Sequence, residues 1–223
     1  MYRKSSSSQP LTTLMPSLEE EYRELWGGKW QWSQEQKEVI TDILKKGFYV
    51  IDHIRKGTIL FVGLNPSVLK KSQNNRIEDI ADIQYFKTFT DISNKCGFDG
   101  DFSVADLFAI RCTTQDTLKK LLAKDRHFKQ FCEKQFKLFL KIMHQAEPCV
   151  IVVCNAYASD WMKKNLEIGT SHFEDSIGTY QISTEYLKNV PIFFSGMLSG
   201  RHALDVYSRE RLVWQIKRCL KKV

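Results

Sequence analysis

Four short groups of polar residues, each directly after an apolar run, are the places where this chain could do chemistry. The first is Gly63-Leu64-Asn65-Pro66-Ser67, which closes the run from Gly57 to Val62. Gly63 permits a close backbone approach or a positive φ, and Pro66 fixes its own φ while biasing Asn65 away from the helical region. The Asn65 amide is thereby held in a stiff loop, although Asn-Pro-Ser is equally suited to ending a strand and capping a helix. The other groups are Asp106 with Arg111, Asn155 with Tyr157, and Ser199-Gly200-Arg201-His202.

Elements that must position these residues can be read from the apolar spacing. Residues 58–62, 102–110, 148–154 and 191–195 are short apolar runs bounded by turn residues, which predicts buried strands. Asp106 interrupts the second run, and an unpaired carboxylate is rare inside a strand, so it marks the strand's end. Helices are predicted over 33–46, with Ser33 and Gln36 at capping-box spacing, over 77–95, over 128–146 and over 160–166. Ser208 is expected to cap a last helix ending near Cys219. Alternation over 180–183 suggests one extra edge strand, and the rest of 167–189 is hard to read.

Strands alternating with helices imply right-handed crossovers and a parallel sheet covered on both faces. The expected fold is therefore α/β, with a mainly parallel four-stranded sheet in a three-layer α/β/α arrangement. Its four polar groups then meet at the carboxyl edge of the sheet, where such folds bind ligands. Residues 1–16, with their four consecutive serines, are expected to be a flexible tail, and 17–223 a single domain.

Composition bounds the function. The chain has 223 residues, 43% hydrophobic, enough for a real core. It contains no apolar window of membrane-spanning length and no secretory signal, which points to the cytoplasm. Six cysteines form no C-x-x-C pair and have no histidine at zinc spacing, so buried or idle thiols are expected rather than a metal knuckle or a disulfide framework. A net charge of +7 favours polyanionic partners, nucleic acid first. Trp26, Trp30 and Trp32 surround a Gly-Gly turn and read as a flap buried on the domain, with base stacking as the alternative.

Taken in order, these residues resemble a family. The 63–67 loop is similar to the Gly-hydrophobic-Asn-Pro motif of the uracil-DNA glycosylase superfamily, and most like that of its mismatch-specific branch. Asn155-Ala156-Tyr157-Ala158 resembles the family's Gly-Ala-Tyr-Ala stretch, and Ser199-Gly200-Arg201 the core of its second motif. Residues 106–111 resemble an Asn-Leu-Phe-Ala-x-Arg stretch in uncharacterised bacterial relatives of that fold. The likeness runs from about Thr58 to His202.

The resemblance implies hydrolysis of the bond between a base and deoxyribose, on a nucleotide drawn out of single- or double-stranded DNA. By the same likeness the reaction needs no metal and no cofactor, and Asn65 orients the attacking water. Gly63, Leu64, Asp106, Asn155 and Tyr157 surround the base, and Tyr85 or Phe86 supplies an aromatic platform unless it is core. Ser67, Ser199, Gly200, Arg201 and His202 meet the DNA backbone or wedge into the stack.

The likeness breaks at two positions. Met197 stands where many relatives have a histidine, and a thioether cannot stabilise an anionic leaving base by hydrogen bonding. Asp106 stands where uracil-reading members use asparagine. An ionised Asp106 only accepts hydrogen bonds, which suits a base presenting donors; alternatively it caps Arg111 or a helix start. A non-catalytic nucleotide or nucleic-acid binding module on the same scaffold is the second functional reading.

Overall fold

The β-branched and aromatic runs form the expected strands, and their pairing sets where the site lies. The computed structural model describes residues 16–50, 53–66, 85–112, 114–200 and 203–221. Strands β1 (Ile59–Gly63), β2 (Ser103–Asp106), β3 (Val150–Val153) and β6 (Val190–Phe194) pair in parallel in the order β2-β1-β3-β6. Beyond β6 the chain adds β5 (Thr179–Ile182) and the two-residue β4 (Phe173–Glu174), both antiparallel. The sheet is thus six-stranded and mixed. This corrects the expected four strands with one extra: β5 is the anticipated edge strand, and β4, too short to show a period, is a further one.

Side chains alternate along a strand, so each strand feeds two apolar layers. Leu60, Val62, Ala105, Ile151, Val153 and Ile192 enter one layer, which helix α5 (Arg126–Ala146) fills with Phe128, Phe131, Phe139 and Ile142. Ile59, Phe61, Val104, Val152 and Phe193 enter the other, met by Phe89 and Ile92 of α3 (Lys87–Cys96) and by Leu212, Val213 and Ile216 of α7 (Val206–Leu220).

Two helices had no counterpart in the sequence reading. Helix α1 (Pro16–Gly27) begins at the last residue of the expected tail, and residues 1–15 lie outside the described part. It places Leu18 and Tyr22 in the core one turn apart and packs on α5. Helix α4 (Gln115–Lys124) buries Leu118, Leu121 and Leu122.

Other boundaries shift for identifiable reasons. Helix α2 runs only from Lys37 to Leu44, because the Ser33 backbone N–H is drawn to Asp125 Oδ2 at 2.8 Å rather than into a capping box. Helix α6 (Ala156–Asn165) starts earlier than predicted, and α7 is capped by Asp205, which accepts the Ser208 N–H at 3.0 Å. Of the helix expected over 77–95, the part before Tyr85 lies outside the described residues. The three tryptophans pack as a flap: Trp30 and Trp32 stack at 5.5 Å, and both meet Phe131 edge-on.

Candidate functional site

Parallel pairing brings the carboxyl ends of β1, β2, β3 and β6 to one edge of the sheet. Val104, Phe61, Val152 and Phe193 share one face, so two residues further on Asp106, Gly63, Cys154 and Ser195 set out from that same face at the edge. Gly63 lies opposite Asp106 in register, and a Cβ on Gly63 would collide with Asp106 Oδ1. Glycine is therefore required here: its missing side chain is the space that the carboxyl occupies.

Phenols approach that carboxyl from two sides. Tyr22 comes from α1 and Tyr85 from the residue before the Phe86 cap of α3, and the Asp106 charge, after burial itself, holds both hydroxyls above the usual tyrosine range. Tyr22, Tyr49, Ala105, Asp106 and Ile142 also line a cavity about the size of one water molecule. Asp106 keeps some solvent access at the edge, yet its carboxyl is hemmed in by protein, and among the described residues no hydrogen bond reaches it. Burial pushes it up to about 7. The neutral and ionised forms then coexist near neutrality: the ionised form only accepts hydrogen bonds, whereas the neutral form donates one and accepts another, as an asparagine does.

Ser199 completes the group. It is 8% exposed, and among the described residues its buried Oγ has no hydrogen-bond partner. The Tyr85 hydroxyl comes near enough to Ser199 to be influenced by it, but short of hydrogen-bond geometry. Buried hydroxyls are as a rule satisfied, so one left without a partner at the strand ends marks a place to look for a ligand. The loop carrying it is closed by Leu204 N–H donating to Met197 O at 2.7 Å and turns through Gly200 at φ 85°. Cys154, overlooked in the sequence as an idle thiol, lies beside Asp106, and burial keeps it protonated. Its position two residues past the β3 core was the available signal. Tyr22 could have been found from the Leu18, Tyr22 and Trp26 spacing of α1.

The remaining predicted residues divide. Asn65 donates through Nδ2 to the carbonyls of Ile110 at 3.1 Å and Cys112 at 2.6 Å, pinning the loop after β2 and fixing which way its amide faces. Leu64 is core, and its carbonyl accepts from Phe108 N–H. Phe86 is buried among Phe89 and Phe102, so of the two platform candidates only Tyr85, 44% exposed, can meet a ligand. Asn155 caps α6, its Oδ1 accepting from Ala158 N–H at 3.0 Å. Tyr157 packs on the α5 side, under Lys119 Nζ at 5.4 Å. Arg111 is half-buried, and no contact links it to Asp106. Ser67, Arg201 and His202 lie outside the described residues.

All six cysteines are free, and among the described residues no group of acidic, histidine or cysteine side chains is arranged to hold a metal ion. No described helix is long and apolar enough to cross a membrane. Compared with known protein families and with curated proteins, the chain matches none.

Proposed function

We propose that the chain is a three-layer α/β/α protein of the uracil-DNA glycosylase kind, hydrolysing the N-glycosidic bond of a deaminated or otherwise altered base in DNA. The observation that carries this reading is the Asp106 carboxyl lying over Gly63 beside Tyr85 and an unpaired Ser199. That is a strand-end cleft offering one aromatic ring, one donor-acceptor pair and one spare hydroxyl. A flipped pyrimidine or purine needs that set: a stacking surface and partners for its pairing edge.

Asn65 supplies the water-orienting group. With its Nδ2 hydrogens committed to backbone carbonyls, its Oδ1 is held in one orientation, ready to accept from a water. An amide aligns water without removing its proton, so turnover is slow and depends on stabilising the departing base. A cytoplasmic setting accords with six free thiols.

The same hydrogen bonds favour the second reading, a binding module: Asn65 already has a complete structural task as a tie between two loops. Oligonucleotides bearing uracil, hypoxanthine, xanthine or mismatched thymine, single- and double-stranded, distinguish the two after alkaline cleavage of abasic sites. Strand breaks that disappear in Asp106→Ala, with binding retained, support the enzyme. Salt-sensitive binding without breaks selects the module.

A further inference from the structure

Helix α7 carries an exposed face that the strand-end cleft does not use. Its inner side, Leu212, Val213, Ile216, Cys219 and Leu220, is buried in the core. On the outer side Tyr207 is 75% and Trp214 60% exposed. Of the five tryptophans, the other four are buried or half-buried. Trp214 belongs to neither core cluster, so packing does not explain it.

Spacing makes these rings a row. At 100° per residue Tyr207 and Trp214 point almost the same way, about 10 Å apart along the axis. Arg211 and Arg218 flank the row on one side, and Lys217 and Lys221 on the other, all exposed, against two acids, Glu210 and the capping Asp205 near Arg211. The Arg218 guanidinium lies over the Trp214 ring, 5.5 Å from its centroid, and Arg211 is steadied by a 3.0 Å hydrogen bond to Ser208. The row starts at the site's edge of the sheet: Leu204 N–H, just before α7, donates to the carbonyl of Met197, just after β6, so the first turn of α7 lies near the β6 carboxyl end.

We propose that the outer face of α7 is a binding track for single-stranded nucleic acid, with bases stacking on Tyr207 and Trp214 and phosphates held by Arg211, Lys217, Arg218 and Lys221. Aromatic rings set between two lines of cations match a strand whose bases and phosphates alternate, and stacking on them needs no particular sequence. An anionic membrane is a poorer fit, because interfacial helices anchor through a broad apolar face and that of α7 is already spent on the core. A second copy of the chain is disfavoured by four like charges facing their equivalents. This track does not depend on the reading of the cleft.

The test uses the full-length protein and an undamaged oligothymidylate of ~16 nucleotides, which contains no base to excise. Binding is followed by tryptophan fluorescence and by the anisotropy of a labelled strand. Trp214 emission should be quenched at saturation, and Trp214→Ala should weaken binding roughly tenfold or more, while Trp214→Phe recovers most of it. Arg211→Gln with Arg218→Gln should lower the slope of log K against log salt by about 1.4. The proposal is overturned by an affinity and a strand-induced quench that are both unchanged in Trp214→Ala, by tighter binding to phosphatidylserine vesicles than to the strand, or by Trp214-dependent self-association. Circular dichroism verifies that each variant is folded. Loss of cleavage in Asp106→Ala with oligothymidylate binding intact leaves the track standing whatever the cleft does.

Discussion

Two largely enclosed aspartates, one at the sheet edge and one at a helix start, are held in opposite ways. Asp125 caps α5: its Oδ1 accepts from Phe128 N–H at 2.9 Å and its Oδ2 from Ser33 N–H at 2.8 Å. Burial alone would raise its pKa, but these backbone donors outweigh burial and hold it below the usual carboxylate value. Asp106 has the burial without the donors, and its pKa rises to about 7. A carboxylate with both oxygens satisfied is a structural part. One enclosed without partners is destabilising unless something else pairs with it, and such groups gather at functional sites.

The largest expected effect tests the unpaired member. The Asp106 pKa is about 7 folded and near 3.8 unfolded, so between these values the folded state holds a proton that the unfolded state has lost. Its contribution is most favourable below pH 4, declines as pH rises, and is fully lost above about 7. Asp106→Asn, neutral throughout, should leave stability near that of the parent at pH 4. At pH 8 it should exceed the parent by on the order of 4 kcal/mol. Urea denaturation at the two pH values reads this directly. Equal stability of parent and variant at pH 8 would show that the carboxyl is solvated or paired after all.

The satisfied member should behave in reverse. Asp125→Ala orphans the cap of α5 and the tie to Ser33, which anchors the segment after the tryptophan flap, and should cost about 2 kcal/mol at pH 7. Because its folded pKa is lowered, its contribution is present above the unfolded value near 3.8 and disappears as pH falls through the folded one. The difference between parent and variant should therefore shrink in acid, whereas that for Asp106→Asn shrinks there from the opposite sign. A deficit that persists unchanged at pH 2 would mean that packing, not charge, is what Asp125 supplies.

The same contrast explains what could be read in the sequence. Apolar period is a one-dimensional signal, so β1, β3, β6 and the stripe of α5 were legible, and with them the edge at which the site must lie. Whether a polar side chain is already partnered depends on residues far away. Asn65 is tied to Ile110 and Cys112 and Ser33 to Asp125, 92 residues on, and no local pattern encodes either bond. Asn155 also caps α6, a task set by the helix that follows it. Asp106 and Gly63 were both noticed, but only the β1-β2 register puts the carboxyl into the glycine's space. The sheet had six strands rather than the expected count because β4 is two residues long and pairs only through β5.

The smallest effect sharpens the comparison at a neighbouring strand end, where Asn155 stands one residue beyond Cys154, the residue after β3 that is level with Gly63 and Asp106. Asn155 is buried, its Oδ1 accepts from Ala158 N–H and its carbonyl from both Ser159 N–H and Oγ, so its acceptors are engaged and only its Nδ2 hydrogens are left to meet a ligand. As a cap its side chain contributes about 1 kcal/mol, and Asn155→Ala should lose that amount with no change in the pH dependence of stability. Asn155→Asp should keep the cap, since a carboxylate accepts the same N–H and is favoured by the α6 dipole. Oligonucleotide binding or cleavage that falls in Asn155→Asp beyond its loss of stability would move Asn155 from the framework into the site. Unchanged function in a stable Asn155→Asp, beside altered function in Asp106→Asn, would locate recognition on the β1 and β2 side of the cleft.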